Sequence, residues 1–260
     1  MFRALHVAAT GMVAQETKLD TISNNLANSN TSGYKRQDAE FEDLLYQNLR
    51  SPGATGQGTI APAGVQLGSG TRVVTTSRAF AQGTMQQTGN PLDVAIEGNG
   101  FLGVMQPTGE VAYTRAGTLK LDSGGRMVTS DGLPIEPAIT IPPDATKVSI
   151  ASDGTVSVMQ PGQTNPLQVG QLQLTTFVNP GGLTAVGHNL YEANAAAGDP
   201  MVGAPASEGR GAIMQGALEG SNVEVVSEMV GLIRTQRAYE VNSKVISTAD
   251  EMMRNAIQSR

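Results

Sequence analysis

Two segments with a seven-residue hydrophobic repeat lie at opposite ends of this chain of 260 residues. In the N-terminal segment the repeat is carried by Leu5, Met12, Leu19 and Leu26, and Ile22 lies at an alternate position of the same seam. In the C-terminal segment it is carried by Leu232, Tyr239, Ile246 and Met253, with Asn242 at an alternate position. A 3–4 alternation of this length predicts two helices that each pack along a seam against another helix. Neither segment has a partner next to it in sequence, so the two ends must pair with each other, with other copies of the chain, or with both.

The composition also favours a protein that assembles over one built around an active site. Charged residues make up only 15% of the chain, against about 25% in an average domain, which suits surfaces that neighbouring molecules cover. The formal net charge of −6 argues against a nucleic-acid partner or an anionic membrane. The chain has no cysteine, so structural disulfides and thiolate metal sites are excluded.

No segment is typical of a membrane span or of a cleaved leader. No apolar run approaches the ~20 residues of a transmembrane helix. The N-terminus, MFRALHVAATGMVAQE, has a short apolar stretch, but His6 interrupts it and the seven-residue repeat continues beyond any plausible cleavage point. If the protein leaves the cytoplasm, we expect it to do so with its N-terminus intact.

The middle of the chain has the pattern of a β domain. Stretches of four to seven residues with β-branched side chains alternate with turns such as Asp131-Gly132 and Asp153-Gly154. The predicted strands are TRVVTTS, LDVAIEG, FLGVMQ, VAYTR, GTLKL, RMVTS, KVSIA, TVSVMQ and LQLTTFV. Their spacing, near ten residues, is that of an all-β barrel or sandwich.

Turn and capping signals set the remaining boundaries. The first helix is expected to end near residue 28, and the sequence from Ser221 to Glu224 has the S-x-x-E pattern of a capping box, which predicts a second helix from about residue 223. The low-complexity stretch 193–212 is predicted to be a surface loop, and 51–70 an extended loop or loose hairpin. The expected fold class is α+β, divided into 1–33 (N-terminal helix), 34–70 (extended bridging segment), 71–205 (β domain), 206–222 (return connection) and 223–260 (C-terminal helix).

Three sequence features could indicate a ligand site, and each is better explained by a turn or by isolated residues. The run from Gly98 to Gly103 matches G-x-G-x-x-G, but a dinucleotide site needs a helix to follow, and a strand-like segment follows here. The Asp-Gly turns near residues 122 and 153 lack the alternating oxygen ligands of a calcium loop. His6 and His188 are too few for a histidine-rich metal site. No catalytic residue, metal ligand or cofactor is predicted.

Polar residues at seam positions leave two interpretations open. Gln15, Thr235 and Asn242 either belong to a partly solvated seam or fix the register and the choice of partner, since a buried Asn lowers stability but selects one alignment. The cationic pair Lys35-Arg36 and the stretch 234–237, RTQR, are expected on a solvated face, and contacts with acidic neighbours in an assembly are the alternative.

Two terminal motifs and a central one resemble those of a known family. The N-terminal motif comprises Asn24, Asn25, Leu26, Ala27 and Asn28, followed by Gly33, Tyr34, Lys35 and Arg36; the C-terminal motif includes Arg237, Ala238 and Tyr239. They are similar to the "NNLAN…T.GFKR" and "QRAYE.NSK" signatures of the rod and hook group of bacterial flagellar axial proteins. The central stretch LDVAIEGNGF resembles the "LDVAI.G.GFF" of that group. Tyr34 stands where Phe is usual, and His6 where Trp is frequent.

Within this group, the segments 46–54 and 62–70 resemble an insertion characteristic of the members that form the distal rod. The total length also fits rod members, since hook members are typically much longer. A hook or proximal-rod subunit is the alternative, and a secreted β-rich adhesin or hydrolase with helical oligomerisation tails is a more distant one.

The resemblance implies a structural role without a reaction. Subunits of this kind form a helical homo-oligomeric tube in the periplasm, with the terminal helices lining the inner tube and the β domain outside. It implies contacts with proximal rod subunits, hook subunits and the peptidoglycan- and outer-membrane-ring proteins of the basal body. Export is through the flagellar type III apparatus without signal cleavage. No nucleic acid, membrane insertion or cofactor is implied.

Overall fold

The computed structural model describes residues 2–50, 55–56, 59–60, 63–163 and 165–258. The chain divides into two compact units. Unit 1 comprises Met1–Ala27, Gln37–Arg78 and Glu224–Arg260, and unit 2 comprises Asn28–Arg36 and Ala79–Val223. An N-terminal helix, a β-rich middle and a C-terminal helix confirm the predicted α+β class.

Unit 1 contains both long helices. Helix α1 spans Phe2–Ala27 (26 residues) and α2 spans Val225–Gln258 (34 residues), which is about 51 Å at 1.5 Å per residue. Hydroxyl side chains inside the helices donate to the carbonyl four residues earlier, as Thr21 does to Thr17 (2.8 Å) and Thr235 to Gly231 (2.9 Å), so they can lie within the seam with their donors satisfied.

Short antiparallel strands accompany the helices in unit 1. They are β1 Gln37–Asp43, β2 Gln47–Arg50, β3 Thr55–Gly56, β4 Thr59–Ile60, β5 Val65–Leu67 and β6 Thr71–Arg78. Strand β1 pairs with β6, with a register shift between Glu40 and Phe41, while β2 pairs with β5 and β3 with β4. The described part of 34–70 therefore contains hairpin strands. Residues 51–54, 57–58 and 61–62 of the predicted bridging segment lie outside the described residues.

Unit 2 is built from short strands. They are β7 Met85–Gln87, β8 Val94–Glu97, β9 Phe101–Met105, β10 Val111–Thr114, β11 Leu119–Leu121, β12 Met127–Thr129, β13 Ile135–Glu136, β14 Lys147–Ile150, β15 Thr155–Met159, β16 Leu167–Gln171, β17 Leu174–Thr176, β18 Thr184–Gly187, β19 Leu190–Glu192, β20 Met201–Gly203, β21 Ala212–Gln215 and β22 Ala217–Glu219, with a 3₁₀ turn at Pro180–Gly182. The largest sheet has the order β18-β19-β10-β9-β17-β20, and β13 also pairs with β9. All pairs with a reported register are antiparallel.

Of three buried clusters in unit 2, the two largest supply most of its core. The larger is aliphatic and consists of Val94, Ile96, Leu102, Leu119, Met127, Ile135, Ile139, Ile141, Ile150, Val156, Val158, Leu172, Leu174 and Ile213. The smaller is aromatic and is centred on Phe101, Tyr113, Phe177 and Tyr191, whose rings meet edge to face, with the Tyr113 and Phe177 centroids 4.9 Å apart. Full burial of one large apolar side chain contributes roughly 1.5–3 kcal/mol, so unit 2 has a substantial core of its own.

Every stretch predicted as a strand contains one; β6 is one residue longer than its stretch, and the other strands are shorter than predicted at one or both ends. The run Gly98-Asn99-Gly100 is a tight connection, since Gly98 (φ +110°) and Gly100 (φ +140°) have backbone conformations that favour glycine, and β9 follows directly. The structure differs from expectation for TRVVTTS, because β6 pairs with β1 and clusters with the helices in unit 1.

Two predictions about the return segment were wrong. The stretch 193–212 is not a loop throughout, because β20 lies inside it and pairs with β17. The capping box does not form, because α2 begins at Val225 and the Ser221 hydroxyl oxygen instead accepts from the Val223 N–H (3.3 Å). The Glu224 carboxylate accepts from the Ser227 hydroxyl (2.9 Å).

Candidate functional site

Helices α1 and α2 pack against each other in antiparallel register. Gly11 lies against Asn242, such that a Cβ at position 11 would be 2.9 Å from the Asn242 Nδ2 atom. Gly231 lies against Ile22, whose Cδ1 would be 3.4 Å from a Cβ at position 231. Eleven residues separate the two contact points on each helix, so the register is constant between them. Small residues on one helix thus receive larger side chains from the other.

The seam between the helices is thin and partly polar. Ile22 is buried, whereas most other predicted seam residues are half-buried: Leu5, Met12, Leu19, Leu26, Leu232, Asn242, Ile246 and Met253. Tyr239 is 40% exposed and lies at the margin of the seam. The other buried side chains of the helix pair are small or polar: Ala8, Ala14, Ala249, Thr21, Asn25, Glu228 and Thr235. A pair of helices that buries so few large apolar groups gains little free energy from its own contact.

Asn25 of the N-terminal motif ties α1 to the strand that follows it in unit 1. Its Nδ2 donates to the Gln37 carbonyl (2.7 Å), and its Oδ1 accepts from the Gln37 N–H (2.9 Å). The same side chain also approaches the Glu228 carboxylate on α2 (3.4 Å). Among the neighbouring motif residues, Asn24 and Ala27 are exposed, and the Asn28 Oδ1 accepts from the Thr31 hydroxyl (3.1 Å).

Gly33 of the motif has a local requirement for glycine in unit 2. Its φ is +73°, and a Cβ there would lie 2.6 Å from the Ala116 backbone nitrogen. Its N–H donates to the Glu219 carbonyl (2.8 Å). Tyr34, the next motif residue, is buried, and its N–H donates to the Thr31 carbonyl (3.2 Å). A side chain at position 33 would therefore push the segment that carries Lys35 away from the backbone of Ala116.

Lys35 belongs to a buried ionic cluster of one carboxylate and two cations. The Lys35 Nζ lies 2.6 Å from one Glu219 oxygen, and an Arg115 guanidinium nitrogen lies 3.1 Å from the other. The Lys35 and Glu219 side chains have no solvent exposure, and that of Arg115 has 3%. The prediction that Lys35 lies on a solvated face was wrong. The sequence did not single out Glu219 or Arg115.

Backbone groups complete the hydrogen bonding of this cluster. Lys35 also donates to the Ala81 carbonyl (2.8 Å), Glu219 accepts from the Gly83 N–H (2.9 Å), and Arg115 Nε donates to the Gly100 carbonyl (3.0 Å). Burial lowers the pKa of Lys35 from its usual 10.5, and the hydrogen bond to Glu219 opposes this change. Burial likewise lowers the pKa of Arg115, against the attraction of Glu219. A buried charge set of this kind is strongly destabilised when one member is removed.

Arg36, the last residue of the N-terminal motif, is held through its backbone. Its N–H donates to the Asn222 Oδ1 (2.7 Å), and its carbonyl accepts from the Ala79 N–H (2.9 Å). Asn222 in turn donates to the Ala79 and Ala81 carbonyls (2.7 and 3.0 Å). In the C-terminal motif Ala238 is half-buried and Arg237 is exposed. The N-terminal motif therefore fixes backbone positions, and the structure does not gather its residues around a pocket.

The described residues line cavities in both units. An apolar groove of about 490 Å³ runs along α1 in unit 1, and an aromatic pocket of about 300 Å³ lies beside Phe101 in unit 2. Within the described part of the chain, no group of three His, Asp or Glu side chains is placed to hold a metal ion. Neither described helix is long and apolar enough to cross a membrane.

Comparison with known proteins assigns the chain to a family. Three family descriptions match: "Flagella basal body rod protein" over residues 5–35, "Flagellar hook protein FlgE/F/G D1 domain" over 95–158, and "Flagellar basal body rod FlgEFG protein C-terminal" over 214–259. The chain belongs to the family of flagellar basal-body rod and hook proteins, which confirms the resemblance noted from its motifs.

Relatives match over nearly their whole length. The chain is 48% identical over 260 residues to the flagellar basal-body rod protein FlgG of Caulobacter vibrioides, covering 99% of each. It is 46% identical over 254 residues to the protein of that name from Buchnera aphidicola subsp. Baizongia pistaciae, covering 97% of this chain and 98% of the relative. It is 47% identical over 259 residues to the flagellar basal-body rod protein FlgG of Buchnera aphidicola subsp. Acyrthosiphon pisum, covering 99% of this chain and 100% of the relative.

Proposed function

We propose that this protein is a structural subunit of the distal rod of the flagellar basal body. Copies of it assemble into a rigid tube that carries the torque of the motor to the hook. Support comes from the family membership and from full-length relatives named as rod proteins. Within this proposal the protein performs no reaction and is exported through the flagellar apparatus without loss of a leader. It works in the periplasm-spanning basal body.

The observation that carries the proposal is the character of the helix pair. Helices α1 and α2 meet through a seam of small and polar residues, while α2 exposes large apolar side chains such as Val226 (68%) and Val241 (62%). A monomer gains nothing from this exposure, and large exposed apolar patches mark interaction surfaces. Burial of such faces against further copies would supply the free energy that the pair lacks.

The remaining parts have roles within the same assembly. The ionic cluster and the motif contacts hold the chain where it enters and leaves unit 2, so that unit 2 keeps a defined structure. The 34–70 segment, part of which resembles a rod-type insertion, would bridge neighbouring subunits and stiffen the tube. Proximal rod subunits, hook subunits and the ring proteins of the basal body are its expected partners.

The variant Ile246→Asp tests this function. Ile246 is half-buried at the seam, and an unpaired carboxylate there becomes costly once neighbouring copies exclude water. We expect export at the normal level, unchanged melting of unit 2 and no distal rod in basal bodies viewed by electron microscopy. Ser243→Asp, on an exposed position of the same helix, is the matched control and should assemble. A motile Ile246→Asp strain with complete rods would refute the proposal.

A further inference from the structure

The face of α2 opposite its seam with α1 is apolar in its N-terminal part, and charged residues such as Lys244 and Glu251 follow further along it. The seam residues Glu228, Thr235, Asn242 and Ala249 recur every seven residues, so the outward residues fall between them. We call these residues the outer stripe: Val226, Met229, Val230, Ile233 and Val241. Each is between 42% and 68% exposed. Two arginines, Arg234 and Arg237, lie within this stripe, since Arg237 is four residues from both Ile233 and Val241.

A complementary groove lies on the other side of the helix pair. It is formed by the face of α1 that points away from α2 and by the adjoining β1–β6 hairpin, and its lining includes Ala9, Val13, Leu44 and Val73. Its volume is about 490 Å³, and most of its surface is apolar. Val13 remains 61% exposed within it. The groove therefore has room for apolar side chains that this chain does not itself supply.

Acidic side chains lie beside the groove and two arginines lie on the outer stripe. The groove lining also contains Arg72, which is paired with Glu42, and Glu240 lies one helical turn from Arg237 on α2. Glu16 lies one helical turn from Val13, and Asp20 one turn further, on the exposed side of α1. Arg234 and Arg237 are exposed on the outer stripe of α2. None of these four side chains takes part in an ion pair with any residue that the structure describes. Lys18, by contrast, is already engaged by Asp38.

We propose that the outer stripe of one copy docks into the α1 groove of the next copy, with Arg234 and Arg237 against Glu16 and Asp20. The inference rests on the proposed self-assembly and specifies the contact that produces it. The stripe and the groove are different surfaces on opposite sides of one helix pair, so the interface is heterologous. Each docked copy presents a new free stripe and a new free groove, and growth continues without closing at a dimer.

Charge-reversed variants of the full-length protein test the contact. One variant, E16R/D20R, makes the groove basic, and the other, R234E/R237E, makes the stripe acidic. In either variant alone, the stripe and the groove carry charges of the same sign and repel each other. We therefore expect the concentration at which polymer sediments to rise roughly tenfold or more. In an equal mixture, the acidic stripe of R234E/R237E can meet the basic groove of E16R/D20R. The basic stripe of E16R/D20R can likewise meet the acidic groove of R234E/R237E. We expect the mixture to sediment as the wild type does, in alternating copies.

The controls separate the contact from folding and from the assembly itself. E110R/D144R makes the same change in net charge as E16R/D20R, but at exposed positions of unit 2, and should sediment normally. Far-ultraviolet circular dichroism and the melting of unit 2 check that each variant folds. If the wild type sediments but the mixture does not, or if each variant sediments alone like the wild type, the contact is wrong and self-assembly stands. A wild type that sediments at no concentration would overturn both proposals.

Discussion

The two units differ in where they keep their large apolar side chains. Unit 2 places fourteen aliphatic residues in one buried cluster and adds an aromatic cluster beside it. The helix pair of unit 1 buries alanines, threonines and a carboxylate, and leaves Val226, Met229 and Ile233 at the surface. From this difference we expect unit 2 to be stable by itself and the helix pair to gain its stability from contacts with other copies. The difference also predicts that core substitutions in unit 2 will mainly lower its unfolding free energy, whereas substitutions in the helix pair will mainly affect assembly.

The largest effect is expected at the ionic cluster of unit 2. Glu219→Gln keeps the shape of the side chain but leaves the Lys35 and Arg115 charges buried without a counter-charge. Removal of one partner of a buried pair costs about 3–5 kcal/mol of unfolding free energy. Denaturant unfolding of unit 2 measures it, with the exposed Glu110→Gln as the control. A loss below about 1 kcal/mol would mean that the cluster is hydrated or rearranges easily.

A pair of leucine truncations compares the units directly. Leu174 in unit 2 has no exposed surface, and Leu174→Ala should lower the unfolding free energy by about 2–5 kcal/mol. Leu232 in the seam is only half-buried, and Leu232→Ala in the unassembled protein should cost less than about 1 kcal/mol of helix-pair stability. Hydrogen exchange resolved by segment gives both values. Equal losses would show that the helix pair has a core as strong as that of unit 2.

The smallest effect concerns a surface turn of unit 2. The Arg126 side chain and the Gly124 N–H bond to the Asp122 carboxylate and lower its pKa from the usual 3.8. Because the folded pKa is the lower one, this stabilisation is fully present above pH 3.8 and is lost as the pH falls through the folded value.

The thermal midpoint of the wild type should therefore exceed that of Asp122→Asn above pH 3.8, and the gap should narrow below it. Asp144→Asn, at another exposed carboxylate of unit 2, is the control for the change in net charge. A gap that stays constant down to acidic pH would exclude a contribution from this ionisation.

Local patterns in the sequence predict much of the fold, but not its long-range pairings. Strands such as Thr155–Met159 were predicted from their β-branched side chains and the turns beside them, and their burial alternates along the strand. Strand β1, with the sequence QDAEFED, has no such pattern, and only its pairing with β6 makes it a strand. Ser221 fits a capping box by spacing, yet its oxygen accepts from the Val223 N–H before the helix begins.

The seam was predictable and the buried contacts of the motifs were not. A seven-residue repeat identifies Ile22 as a buried position from sequence alone. The cluster of Lys35 and Glu219 joins residues 184 positions apart, and no local signal marks a lysine as fully buried. The assembly role of the seam residues remains a prediction, since it concerns contacts between copies.

The separation of the two helices at opposite ends of the chain also determines when the pair can form. Asn25 and the Glu228 side chain that it meets are separated by 203 residues of chain. A chain that is threaded through a pore N-terminus first delivers α1 early, but α2 arrives only with the final residues. Unit 2 can fold in the interval, because its core is nearly complete before α2 emerges. If α1 must pair with α2 before it can join other copies, chains still in transit cannot polymerise. Assembly is then delayed until the whole chain has emerged.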